Sequence, residues 1–217
     1  MDNQITVFAV GDDEVELNCL GRLIESVNLK VQTFPSAEEF LASYDPAHPG
    51  CVVVDMRMPG MSGLDIQREL ASRDWFIPII FVTGFASASL AVRAMKAGAF
   101  DFLEKPVDDQ TLLDSIRAAI AEDARIRKRQ LRTVEIRIRL ARLTPREREV
   151  LELVVVGQAN KAVAKKLAVS EKTVEIHRSH VMKKLQAETI AELVRMVMAV
   201  EAQDMKEPGD RGPSGHP

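Results

Sequence analysis

Asp55 ends the apolar run Cys51–Val54 and precedes Met58-Pro59-Gly60, so a carboxylate is carried out of a buried strand directly into a turn. Three further polar residues follow apolar runs in the same manner: Asp12 after Ile5–Val10, Thr83 after Ile79–Val82, and Lys105, ahead of Pro106, after Phe102-Leu103. If these runs are parallel strands of one sheet, two acids, a hydroxyl and an amine converge on a single edge. Two carboxylates held together repel unless a cation lies between them, and hard oxygen donors with few protein ligands suit Mg2+, which keeps several of its waters. Such an ion would neutralise charge developing on a transferred phosphoryl group while Lys105 meets another of its oxygens. Asp55 is then a nucleophile toward phosphorus, the product an aspartyl phosphate, and Thr83 a hydrogen-bond donor to that group.

The elements that must position these groups alternate from the start to about residue 120. Short apolar runs at Ile5–Val10, Lys30–Phe34, Cys51–Asp55, Pro78–Thr83 and Asp101–Glu104 read as strands. Amphipathic patterns near Glu14–Ser26, Ala37–Tyr44, Gly63–Ser72, Ser87–Ala97 and Asp108–Ala121 read as the helices between them. Ser36 with Glu39 fits a capping box at the second helix. Five such βα units predict an α/β domain, a doubly wound five-stranded parallel sheet of flavodoxin-like order 2-1-3-4-5. That order makes the first and third strands neighbours, so Asp12 comes beside Asp55, with Thr83 and Lys105 on the strands that follow.

Charge divides the chain in two. Residues 1–124 carry 20 acidic against nine basic side chains, whereas residues 125–200 carry 18 basic against eight acidic, an asymmetry hidden in the net charge of −3. A basic second half points to a polyanionic partner. The two cysteines, Cys19 and Cys51, lie in apolar segments and read as core thiols. With no basic leader ahead of an apolar stretch and no segment of membrane-spanning length, the expected location is the cytoplasm, without membrane contact.

From Ala121 to Leu143 a charged helix carries Ile120, Ala124, Arg127, Leu131, Val134, Ile138 and Ala141 at alternating spacings of four and three, a heptad seam interrupted at Arg127. A solvated linker helix and a dimeric coiled coil both fit it. A new domain opens at Thr144-Pro145-Arg146-Glu147, which has a capping threonine, a proline at the first helical position and the glutamate of a capping box. Gly157 ends this helix. Asn160–Leu167, Glu171–Leu185 and Ile190–Val200 follow, the last opened by Thr189 with Glu192, so the second domain is all-α with four helices. The divisions expected are residues 1–120, a helical linker over 121–142, the helical domain over 143–201, and a tail over 202–217 too polar and Gly/Pro-rich to order.

The set Asp12, Asp55 to Gly63, Thr83-Gly84 and Glu104-Lys105-Pro106 resembles the receiver domain of bacterial two-component response regulators. Leu143 to Leu151 with Ser170 to Arg178 resembles the LuxR-type helix-turn-helix module, and the pair together resembles a FixJ/NarL-type transcription factor. The resemblance implies that Asp55 accepts a phosphoryl group from a sensor histidine kinase, that Asp12, Asp55 and the Arg57 carbonyl hold Mg2+, and that Lys105 contacts the phosphoryl group. It further implies Thr83 and Phe102 as the switch, a homodimer formed on phosphorylation, binding to double-stranded DNA, and RNA polymerase as a downstream partner. One departure stands out: Gly11 occupies the first position of an acidic pair usual in such receivers, and Asp13 is a second candidate to restore it. Phe85 and Ala86 stand where His-Gly is often found.

On the third helix of the second domain, Val174, Val181 and Leu185 share one face and are expected in the core, while Lys172, Glu175, Ile176, Ser179 and Lys183 lie opposite. Ile176 methyls suit a thymine methyl and Glu175 a cytosine amino group in a major groove. Lys161, Thr173, Arg178 and Lys184 suit phosphates, each lysine having a solvated surface charge as its plain alternative. His177 and His180 lack the companions of a metal site. No enzymatic turnover is expected. The rivals are a phosphohydrolase, which would need a second acid where Arg57 stands, and a phosphorylation-independent DNA binder, suggested by Gly11.

Overall fold

The structure is a computed structural model that describes residues 4–85 and 87–204. The chain divides into two compact units, residues 1–127 and 128–217.

The first unit is a five-stranded parallel sheet in the order β2-β1-β3-β4-β5. Its strands are β1 (Thr6–Val10), β2 (Lys30–Phe34), β3 (Gly50–Asp55), β4 (Ile79–Thr83) and β5 (Asp101–Glu104), and its helices α1 (Glu14–Ser26), α2 (Ala37–Ser43), α3 (Gly63–Ser72), α4 (Ala88–Lys96) and α5 (Asp109–Ala141). Alternation along the strands divides their side chains between two cores. Phe8, Val10, Val52, Val54, Ile79 and Phe81 pack with Phe40 of α2 and Ile66 and Leu70 of α3. Val7, Cys51, Val53 and Ile80 pack with Ile24 of α1 and Leu112 and Ile116 of α5. Both faces are covered, which is why the central strands read as unbroken apolar runs. Burying Phe40 or Phe81, each fully enclosed, stabilises the unit by about 2–3 kcal/mol.

Local signals set the helix starts. Ser36 Oγ accepts from the Glu39 amide at 3.2 Å, and Ser62 with Asp65 forms a full capping box at α3. Gly63 is dictated by close approach, since a Cβ there would lie 2.7 Å from the Asp55 carbonyl oxygen and 2.9 Å from the Phe81 ring.

One expectation is corrected. The fifth helix does not end at Ala121 but runs unbroken for 33 residues to Ala141, and the division between the units falls within it at Arg127. No glycine, proline or competing cap interrupts residues 109–141, so nothing local stops the helix. Arg127, the irregular member of the heptad seam, has a different task. Its Nε donates to Asp123 Oδ2 at 2.8 Å, Nη1 to the carbonyls of Pro46 and Ala47, and Nη2 to that of His48 at 2.6 Å. Asp123, 1% exposed, also accepts from the Gly50 amide at 3.0 Å. This clamp ties α5 to the loop that feeds β3. Farther along the seam, Leu131, Val134 and Ile138 are exposed.

The second unit contains the end of α5 with α6 (Pro145–Val155), α7 (Asn160–Leu167), α8 (Glu171–Leu185) and α9 (Ile190–Asp204). Ile136 of α5 joins Val150, Leu151, Val163, Val174, Val181, Leu185 and Leu193 in one core. Helix α9 runs to Asp204, three residues into the segment expected to lack order; residues 205–217 of that segment lie outside the described residues. Among the described residues no helix is long and apolar enough to cross a membrane.

Candidate functional site

Parallel strands of similar length deliver their carboxyl ends to one edge, and the chain places its reactive groups there. Val10 pairs with Val54 and Asp55 with Val82, so Asp12 follows the strand beside β3 and Thr83 ends the strand on its other side. Lys105 follows β5, and its peptide bond to Pro106 is cis. Lys105 Nζ donates to Asp55 Oδ2 at 2.9 Å and to Glu16 Oε2 at 2.5 Å. The Arg57 amide donates to the other Asp55 oxygen at 3.0 Å. A cleft of about 370 Å³ opens over this edge, lined by Gly11, Asp12, Asp13, Glu16, Asp55 and Lys105 among others.

The Asp55 side chain is one-fifth exposed, accessible to a small anionic donor yet backed by the buried Met56. Partial burial works against the Lys105 ammonium, but its hydrogen bonds to Glu16 and Asp55 outweigh that cost and hold its pKa above the ordinary lysine value. Thr83 is fully buried, and its Oγ1 accepts from the Phe85 amide at 3.2 Å. Phe102 is half-buried against Phe81, ring centroids 6.4 Å apart. The Arg57 guanidinium lies over the Phe85 ring at 4.3 Å, a cation–π contact between the loops after β3 and β4.

Asp12 and Asp55 both line this cleft, and carboxylate oxygens are donors of the kind that suits a hard cation such as Mg2+, which keeps much of its water shell. Among the described residues no three His, Cys, Asp or Glu gather into a fuller cage. Asp13 is otherwise engaged: its Oδ1 accepts from the amides of Val15 and Glu16 at 2.8 and 3.0 Å as the N-cap of α1. Sequence reasoning missed Glu16. An acid in the first turn of α1 reads as dipole compensation, and only the fold brings it to Lys105, 89 residues away.

The second unit presents α8. Val174, Val181 and Leu185 are buried as expected, while Lys172, Glu175, Ile176, Ser179 and Lys183 are exposed. Ile176 is 49% exposed among polar neighbours. The helix is set by Ser170, whose Oγ accepts from the Thr173 amide at 3.1 Å, after a left-handed Ala168 ends α7. Lys161 is exposed at the start of α7 and Thr173 half-buried at that of α8. Arg178 donates to Asn160 Oδ1 at 2.5 Å and so braces α8 against α7.

Lys184, about one-third exposed, is paired within the domain. Its Nζ donates to Glu147 Oε2 at 2.6 Å and to the Arg142 carbonyl at 3.3 Å, so its ammonium serves the domain's own structure. Glu147 Oε2 also accepts from the Thr144 amide at 2.8 Å. The bond from Lys184, working against desolvation and joined by those from Thr144, holds the Glu147 carboxyl down to about 2. His180 Nδ1 lies 3.7 Å from the other Glu147 oxygen, and His177 Nδ1 is buried without a hydrogen-bond partner among the described residues.

Residues 7–117 match the family model of the response regulator receiver domain, and residues 141–197 that of bacterial regulatory proteins of the luxR family. The chain is 47% identical over 190 residues to nodulation protein W of Bradyrhizobium diazoefficiens, covering 88% of this chain and 84% of that one. It is 41% identical to the transcriptional regulatory protein FixJ of Azorhizobium caulinodans, over 91% and 94% of the two chains. Among solved structures, response regulator StyR is similar with a TM-score of 0.76 at 40% identity, covering 90% of this chain and 98% of that one. The FixJ-N structure is similar with a TM-score of 0.52 at 38% identity, over 54% and 94%.

Proposed function

Because this chain belongs to the two-component response regulators that join a receiver domain to a LuxR-type DNA-binding domain, we propose that Asp55 is its phosphoacceptor and that phosphorylation there governs how α8 engages DNA. The observation that carries this is the Lys105–Asp55 contact of 2.9 Å, formed between residues 50 apart in sequence in a cleft that also holds Asp12.

A sensor histidine kinase of the same system supplies the phosphoryl group. An Asp55 carboxylate oxygen attacks phosphorus, the P–N bond of the phosphohistidine breaks, and its electron pair returns to the imidazole, leaving an acyl phosphate on Asp55. Asp12, Asp55 and the Arg57 carbonyl would hold Mg2+, which supplies charge neutralisation for the transferred group. Lys105 donates to a phosphoryl oxygen in place of its present bond to Asp55. Thr83 gives up the Phe85 amide and turns its hydroxyl toward the new oxygens, and Phe102 moves inward behind it.

The product is a covalent mark, a high-energy mixed anhydride, and not a turnover. A homodimer then places two α8 helices on successive half-sites of double-stranded DNA in the cytoplasm, where RNA polymerase reads the outcome. Lys172, Glu175, Ile176, Ser179 and Lys183 face the groove. Lys161, Thr173 and Arg178 lie nearer the phosphates, Arg178 once released from Asn160.

Incubation with acetyl phosphate and Mg2+ tests the reading. Intact mass should rise by one phosphoryl group in wild type and not in Asp55→Ala, with a shift toward a larger species in gel filtration. No mass gain, or an equal gain in Asp55→Ala, refutes it. Gly11 favours a second reading, a DNA binder indifferent to phosphorylation, which predicts equal DNA affinity with and without acetyl phosphate.

A further inference from the structure

The acidic cleft lacks an acid at position 11, and the backbone offers no reason for it. Gly11 has an ordinary φ, its amide donates to the Phe34 carbonyl at 3.1 Å, and a Cβ there would meet only Leu17, at 3.6 Å, in ordinary van der Waals contact. A Cβ at 11 would be accommodated.

Asp12, Asp13, Glu16, Asp55 and Asp109 line the cleft with Lys105, and of these acids Asp55 and Glu16 meet the ammonium. Asp13 lines the same cleft but spends its carboxylate on the first amides of α1, whose dipole opposes its field. Glu16 is differently placed. It stands one turn farther along α1, lines the cleft, and shares the Lys105 ammonium with Asp55, at 2.5 and 2.9 Å. Its carboxylate adds a negative charge beside the ammonium, so that Asp55 does not have to neutralise Lys105 alone. Holding Lys105 from the far side also keeps one of the three ammonium protons away from Asp55.

Resting on the phosphoacceptor reading above, we propose that Glu16 is a positioning residue of the cation site: it replaces the acid missing at position 11, acting through Lys105 and through the field of the cleft and not as a direct ligand. The side chain is 56% exposed, so Glu16→Gln removes the charge without disturbing the core.

The test is calorimetric titration of the full-length, unphosphorylated chain with MgCl2, comparing wild type, Glu16→Gln, the double variant Gly11→Asp/Glu16→Gln, Asp12→Asn and Asp55→Asn. The Mg2+ dissociation constant should rise about tenfold in Glu16→Gln, in the range of carboxylates that act behind a metal's direct ligands, and return to wild type or below in the double variant. Unchanged Trp75 fluorescence melting in Glu16→Gln serves as the folding control. An unchanged dissociation constant in Glu16→Gln overturns the proposal, as does a double variant that stays weak while Asp12→Asn and Asp55→Asn lose binding; the phosphoacceptor reading then survives alone. A wild-type chain that takes up no Mg2+, or Asp55→Asn binding as tightly as wild type, refutes both.

Discussion

Replacing Glu147 by glutamine removes one charge from the centre of the DNA-binding domain while keeping the side chain's shape. In the native domain this carboxylate accepts from Lys184 Nζ at 2.6 Å and from the Thr144 amide at 2.8 Å, and its side chain is 5% exposed. Its pKa falls from 4.5 to about 2, which fully converted is about 3 kcal/mol of preference for the charged form in the folded state. Lys184 is about one-third exposed, so water and salt reduce the figure, and the glutamine can still accept from Thr144. The expected loss is about 1–2 kcal/mol. For a unit of this size that corresponds to roughly 4–16 °C in melting temperature.

The sequence provides a means of reading this unit separately. All eight phenylalanines, the single tyrosine and the single tryptophan lie before residue 103, so Trp75 fluorescence reports the receiver alone while far-ultraviolet dichroism reports both units. Glu147→Gln should lower a dichroism transition and leave the Trp75 transition in place. Because the folded carboxyl is depressed, its contribution is fully present above about pH 4.5 and is lost as pH falls toward about 2. The gap between wild type and variant should therefore narrow over that window. A melting temperature unchanged at pH 7, or a gap that widens on acidification, refutes the reasoning.

Three further outcomes are expected. Asp123→Ala leaves Arg127 without its carboxylate and the Gly50 amide without an acceptor, and should destabilise the receiver by about 3 kcal/mol in urea unfolding followed by Trp75. Gly63→Ala forces a Cβ against the Asp55 carbonyl and the Phe81 ring; it should cost about 1–3 kcal/mol and slow acetyl phosphate labelling of Asp55, measured by intact mass. Burial, with help from Asp123, pushes the Cys51 thiol up to about 12, whereas Cys19 is exposed. Iodoacetamide at pH 8.5 should therefore modify one site, mapped by peptide mass to Cys19, until denaturant exposes the second.

The helix starts and strand runs of the receiver were legible in the sequence because each rests on short-range rules. Ser62 caps through an amide three residues away, and β3 declares burial on both faces by four consecutive apolar residues. The convergence of Asp12, Asp55 and Lys105 was legible as well, since strand order and carboxyl-end placement follow from connection rules and not from any one contact. Three assignments depended on tertiary structure. Arg127 looked like a fault in a coiled-coil seam, yet its meaning lies in carbonyls about 80 residues away. Lys184 reads as a phosphate contact, and a lysine at the end of a basic helix shows no local sign of the buried carboxylate 37 residues earlier with which it pairs. Glu16 looked like a helix-dipole acid until Lys105 was found beside it. A side chain's periodicity tells which face of its element it occupies; which partner waits on that face is set by how separate elements pack, and long, flexible charged side chains are where that choice is least constrained by sequence.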